Sequence, residues 1–186
     1  SSRRRHTRFK CDWSSDVCSS DLDSICKGLA TFVSDSNAVP GRFNEFNYRG
    51  ATVIADYGHN PDAIKALVQA VLALPGKRRS VVISGAGDRR DDDIREQTRI
   101  IGEAFDQVVL FQDACQRGRV DGEVLKLLRE GLANASRTQQ IDEIYGEFKA
   151  IDTAMDRLQE GDLCLILIDQ VEEALTHITQ RVKQAS

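Results

Sequence analysis

The chain is poor in the residues that usually announce a special chemistry. Its 186 residues hold three histidines, three prolines, one tryptophan and one methionine. No apolar run approaches the roughly 20 residues of a membrane helix. The longest, Leu163 to Ile168, is strand length, so no membrane partner is expected. The five cysteines are unevenly spaced and form no C-x-x-C pair. That argues against a zinc site or a disulfide framework, and for reduced thiols in a cytoplasmic protein. An excess of basic charge is missing too. Lys and Arg number 25 against 29 Asp and Glu, a net charge of −4 that disfavours a nucleic-acid partner. A phosphate-cradling G-x-x-x-x-G-K-[ST] loop occurs nowhere, and the G-x-G-x-x-G dinucleotide fingerprint fails where Arg90 replaces its third glycine.

What is present divides unevenly. Residues 1–22 are rich in Ser and Arg, show neither helical nor strand periodicity, and hold the sole tryptophan and two of the cysteines. No apolar segment follows their basic residues, so they do not form a signal peptide. The stretch from Asp12 to Leu22, "DWSSDVCSSDL", resembles a translated sequencing-adapter tail, and residues 1–22 are expected to be an artefact or a disordered arm. Ile25, Leu29 and Phe32 then mark a short helix. A linker rich in Ser, Asn, Pro and Gly follows over residues 34–42. Residues 23–40 are therefore expected to end an upstream domain, and 41–186 to form the next.

From residue 41 onward, strand and helix signals alternate. A hairpin around Gly50 leads into "ATVIADY", and a helix follows with Ile64, Leu67, Val68, Val71 and Leu72 on one face. "SVVISG" and "QVVLF" are short buried strands. The helices after them carry Ile94, Ile101 and Phe105, then Val124, Leu127 and Leu128. A weak strand near "TQQID" precedes a helix marked by Ile144, Phe148, Ile151, Met155 and Leu158. "LCLILI" and a helix with Val171, Leu175, Ile178 and Val182 end the pattern. Apolar β-runs separated by amphipathic helices predict an α/β fold: a mostly parallel, Rossmann-like sheet, helices on both faces, and one antiparallel edge hairpin.

In such a sheet, ligands bind beyond the carboxyl ends of the strands, so the βα loops are the candidates. The first, "DYGHN", has two readings. Asn60 can simply cap a helix that Pro61 opens, with Gly58 turning and His59 solvated; or the free amides of that helix start, with His59 beside them, face a phosphate. The second loop, "SGAGDRRDDD", offers Gly85 and Gly87 for close backbone approach and Arg89 and Arg90 for bidentate anion binding. The third, residues 112–123, carries Asp113, Arg117 and Arg119, for which a solvated turn is the default; helix capping is the default for Asp169, and Cys115 has no histidine near it in sequence.

Taken together, "PGRF", "DYGHNPDA", "GAGDRRDDDI", "RGRVDGEV" and "EGDLCLILIDQVEEAL" resemble the C-terminal domain of the Mur-type amide ligases, most of all their cyanophycin-synthesising branch. The resemblance runs from residue 23 to about 180. It implies ATP and Mg2+ as cofactors and an acyl phosphate that an amine converts to an amide. It also implies arginine and an aspartate-rich polymer as substrates, and a homo-oligomeric full-length enzyme. By position, Arg42 resembles the hinge arginine that reaches the nucleotide. Asp56 resembles the acid that meets the ribose or orients the loop, and His59 and Asn60 the pair facing the phosphates and reacting centre. Asp88, Arg89, Arg90 and Asp113 would meet the incoming amino acid or polymer end. The glycine turn departs from the family in lacking a proline, and with no phosphate loop the 186 residues alone are expected to be inactive. A folylpolyglutamate or muramyl-peptide type of ligase, and a non-catalytic binding module, are the alternatives.

Overall fold

The computed structural model describes residues 38–112 and 115–185, together with Cys26. The chain divides into two compact units, 1–33 and 34–186, and only the second is described below.

Its frame is a six-stranded sheet: β1 (Asn44–Tyr48), β2 (Ala51–Asp56), β3 (Arg79–Ile83), β4 (Gln107–Gln112), β5 (Gln140–Tyr145) and β6 (Leu163–Leu167). Four helices join the strands from β2 to β6, α1 (Pro61–Ala73), α2 (Asp91–Gly102), α3 (Glu123–Leu132) and α4 (Glu147–Asp156), and α5 (Val171–Ala185) follows β6. The spatial order is β1-β2-β6-β3-β4-β5. Only β1 is antiparallel among the described strands, paired with β2 in the register Tyr48↔Ala51. The two turn residues between them, Arg49 (φ 53) and Gly50 (φ 80), are both left-handed, as a two-residue hairpin turn with the right twist requires.

Alternation along each strand sorts the core into two layers. Leu163, Leu165 and Leu167 of β6, with Ile54, Val81, Ile83, Val108 and Leu110, pack beneath α1, α2 and α3. Cys164, Ile166 and Ile168, with Val53, Val82, Val109 and Phe111, pack beneath α4 and α5. Burial pushes the Cys164 thiol up to about 12, which makes it a packing residue rather than a nucleophile. At about 25 cal/mol per Å2 of apolar surface, this two-sided burial is the main force holding the sheet together.

The predicted architecture is what the chain adopts, with three local differences. Ile144 belongs to β5, opposite Phe111, and α4 begins only at Glu147. Leu72 is 46% exposed, because α1 turns its far side to solvent there. Leu158 lies past the end of α4, as Phe105 lies past α2, though both still pack on the core.

The topology creates one special place. The helix after β3 lies on one face of the sheet and the helix after β6 on the other, while these strands are neighbours. The chain therefore leaves their carboxyl ends in opposite directions and opens a crevice between them.

Candidate active site

A small recess sits at this crevice, lined by His59, Ser84, Gly85, Cys115, Arg117 and Asp169 among others. Its space of about 10 Å3 admits one water. Its residues come from the loops after β2, β3, β4 and β6, so four segments distant in sequence meet here.

The linker is locked to the end of β2. Tyr57 donates its amide to Gly41 O at 3.0 Å, and Gly41 donates to Asn44 Oδ1 at 2.7 Å. The Phe43 amide donates to Asp56 Oδ2 at 2.8 Å. Burial pushes the Asp56 carboxyl up, opposed by the amides of Phe43 and Gly58 and by the Arg42 charge. Asp56 thus orients the linker that carries Arg42, whose guanidinium carbon lies 5.9 Å from the centre of the Tyr57 ring.

On its other side, Tyr57 meets His59 edge to face, with ring centres 3.9 Å apart. The His59 side chain is 17% exposed, and its Nε2 is buried without a hydrogen-bond partner, 3.6 Å from Asp169 Oδ1. Burial pulls its pKa down; a backbone hydrogen bond accepted by the Gly58 carbonyl opposes this, while the charges of Arg117, Arg89 and Arg42 reinforce it. Burial and the three guanidiniums thus disfavour the imidazolium, and the nearby Asp169 carboxylate does not reverse that direction. Asn60 caps α1 through its Oδ1, which accepts from Ala63 N at 2.8 Å.

Arg117 is the centre of charge. Its guanidinium lies 3.4 Å from Asp88 on one side and 3.4 Å from Asp169 on the other. Burial works against its charge, but these two carboxylates and the Tyr57 hydroxyl hold it a firm cation. Arg119 serves the neighbouring loop instead. It donates to the carbonyls of Gly87 and Arg89, both at 2.7 Å, and pairs with Asp91 and Glu123. Gly87 is required where the two loops touch, since a Cβ there would stand 2.1 Å from Gln116 O. The close approach expected of this glycine is thus made to the next loop. Arg90 spends its fork on Asp93 of its own helix, at 3.0 and 2.9 Å.

Of the residues singled out in the sequence, His59 lines the recess; Asp88 reaches it through Arg117, Arg42 and Arg89 act on His59 by charge, and Asp56 holds the linker. Asn60 and Arg90 serve as helix-start residues, and Asp113 lies outside the described residues. Two contributors were not singled out. Asp169 was expected to cap a helix; instead the Gln170 carbonyl accepts the first bond of α5, from Ala174 N, and the Asp169 side chain faces Arg117 and His59. Arg117 was visible only as part of "RGR", whose solvated-turn default gives no hint of its partners.

Residues 41–167 match the family model described as Mur ligase, glutamate ligase domain. A cyanophycin synthetase of Crocosphaera subtropica is 33% identical over 161 residues, covering 87% of this chain and 18% of that protein. A UDP-N-acetylmuramoyl-L-alanyl-D-glutamate–2,6-diaminopimelate ligase of Aquifex aeolicus is 32% identical, covering 69% of this chain and 26% of that one. Two solved structures share the fold. One is a diaminopimelate ligase with a TM-score of 0.63 at 16% identity, covering 92% of this chain and 36% of its own. The other is a folylpolyglutamate synthase of Mycobacterium tuberculosis complexed with ADP, with a TM-score of 0.59 at 22% identity, covering 77% and 31%. The chain spans less than a third of the length of these curated relatives. With its parallel sheet, its switch-point recess and a family match over most of its length, the chain belongs to the Mur ligase family as a C-terminal, glutamate-ligase type domain.

Proposed function

We propose that this chain supplies the nucleotide-facing edge of an ADP-forming ligase of the cyanophycin synthetase type, which adds arginine to aspartate side chains of an aspartate-rich polymer. The observation that carries this reading is the recess at the switch point, where the buried His59 Nε2 has no hydrogen-bond partner and lies 3.6 Å from Asp169, itself 3.4 Å from the Arg117 guanidinium. ATP bound there would activate a carboxylate as an acyl phosphate for attack by an amine.

The residues suit an anionic, phosphate-bearing group. Guanidiniums offset developing phosphoryl charge, and the His59 Nε2 is a buried polar atom awaiting a partner. The N-terminus of α1, capped by Asn60, favours an anion as well. Arg42 is carried on a linker fixed by Asp56, so its reach is set by the β2 end. Among the described residues no group of three or more His, Cys, Asp and Glu could hold a metal ion. The magnesium ligands are expected mainly in the remainder of the ligase.

Support for arginine comes from Asp88 and Asp169, which already flank one guanidinium, that of Arg117. A carboxylate pair spaced for one guanidinium suits another. Arg89, Arg90 and Asp113 would meet the amino acid or the polymer end. A recess of 10 Å3 cannot enclose a nucleotide, which would have to lie across it against a second surface. The isolated 186 residues are accordingly expected to form no amide.

The test is a domain exchange. Residues 41–186 replace the matching region of a curated cyanophycin synthetase, and arginine-dependent ADP formation is measured. Activity restored in that host supports the reading. Restoration only in a diaminopimelate ligase host would favour the muramyl-peptide alternative, for which the 32% identity speaks. A folded hybrid inactive in both hosts would leave a non-catalytic binding module.

A further inference from the structure

Three of the four loops of the recess, those after β2, β4 and β6, are gripped from behind by a buried polar side chain that does not itself line it. Gln97 of α2, 1% exposed, donates its Nε2 to the His59 carbonyl at 3.0 Å. Gln112 accepts the Gly122 amide at 2.9 Å and donates to Asp121. Glu147, the first residue of α4, is 3% exposed. Its Oε1 accepts the Asp169 amide at 2.8 Å and its Oε2 the Gln170 amide at 3.1 Å. The Gln170 side-chain amide donates to the same Oε2 at 3.2 Å.

Glu147 is the hardest of these to explain by stability alone. An acid in the first turn of a helix already favours the dipole when it is exposed to water. Burying it costs several kcal/mol unless its oxygens are satisfied. Here they are satisfied by the backbone of one turn, the turn that aims Asp169 at His59 and Arg117. Gln97 does the matching work across the recess, because the carbonyl it holds is that of His59 itself. The two sides of the 3.6 Å gap between His59 Nε2 and Asp169 Oδ1 are therefore set by different helices on opposite faces of the sheet.

We propose that Glu147 and Gln97 are positioning residues: acting through Asp169 and the His59 backbone, they fix the imidazole against the carboxylate in the recess. The proposal gives these two residues a role in the site whose function was inferred above, and rests on that inference for its importance to catalysis. The geometry itself is testable without catalysis, so failure of the domain exchange would not decide it.

The experiment is a coupling measurement on the 186-residue chain. Histidine ring carbons are labelled, and the His59 midpoint is followed by NMR against pH, with His177 of α5, 2.8 Å from Asp152 of α4, as reference. The groups facing His59 are Tyr57, Arg42, Arg89, Arg117 and Asp169. In the natural sequence, Asp169→Asn removes a carboxylate beside the ring and should lower the midpoint by about half a pH unit. In a Glu147→Gln background, the second oxygen becomes an N–H facing the Gln170 amide, and the turn loses its anchor. The same Asp169→Asn change should then move His59 less than half as far. Gln97→Met should weaken the coupling similarly. Equal displacements in all three backgrounds would overturn the proposal. If Glu147→Gln does not fold by circular dichroism, Glu147→Asp, which keeps the charge but shortens the reach, is read by the same criterion.

Discussion

The two ends of the parallel strands use their charges in opposite ways. At the amino ends, two acids are tightly matched. Asp106, just before β4, accepts the Arg79 amide at 2.8 Å and both Nε and Nη2 of Arg137, at 2.9 and 3.1 Å. Asp162, just before β6, accepts Arg78 Nη2 at 2.7 Å and the Gln159 amide at 3.0 Å. Burial resists ionisation of both acids, yet these donors win and hold their carboxyls below the usual range. At the carboxyl ends, the contacts are longer: 3.4 Å from Arg117 to each of its acids and 3.6 Å from His59 to Asp169. His59 Nε2 and Ser84 Oγ there are buried with no hydrogen-bond partner at all. The amino edge too holds buried atoms without a partner, Arg79 Nε and Ser80 Oγ, so the contrast lies in the ion pairs, short at the amino edge and long at the carboxyl edge. Long pairs hold their charges less firmly, so the carboxyl edge is where a charged ligand has most to offer.

Single substitutions sharpen the contrast. In a hybrid ligase active with this domain, Arg117→Ala should lower the arginine-dependent rate by about 100-fold or more, as expected for a lost charge-stabilising group. Because its pairs are long and partly exposed, unfolding by urea should shift by no more than about 0.5 kcal/mol. Asp106→Ala should reverse the pattern. Removing one carboxylate orphans the Arg79 amide and the Arg137 fork, so the chain should lose about 2 kcal/mol in urea titration. The rate per folded hybrid should stay near its starting value. If Arg117→Ala cost more stability than Asp106→Ala, the distinction between the two edges would collapse.

Much of the frame was legible because burial on both faces writes a simple pattern. "SVVI", "QVVLF" and "LCLILI" can only be central strands of a covered sheet, and Asn60-Pro61 marks the start of α1 by capping alone. The boundary of β5 was not legible for the converse reason. As an edge strand it is mostly exposed, so "QIDEIY" carries too few apolar positions to outweigh the helical spacing that claims Ile144. In the site, the first two loops announced themselves by glycines, arginines and a histidine packed into a few positions. Arg117 and Asp169 could not be paired in the same way: 52 positions separate them, and only the insertion of β6 between β2 and β3 brings them together. Gln97 and Glu147 were hidden among charged neighbours, "REQT" and "GEFK", where nothing distinguishes a buried polar side chain from a solvated one.

The smallest expected effect concerns acid. The His59 pKa is lowered from its ordinary 6.5 in the folded chain, chiefly by burial. The unfolded chain therefore takes up a proton at this site more readily, and stability rises with pH across the window between the two values. The His59 contribution is complete above about 6.5 and is lost as pH falls from there toward the folded midpoint. The amino-edge acids behave differently: their folded values lie below the ordinary carboxylate range, so their contribution persists until more strongly acid conditions. Urea midpoints measured between pH 7.5 and 5 should fall gently in the natural chain and less in His59→Phe, whereas Asp106→Ala should keep the same slope at a lower level. A slope in this window that vanished in Asp106→Ala and survived in His59→Phe would mean that the amino edge, rather than the recess, senses mild acid.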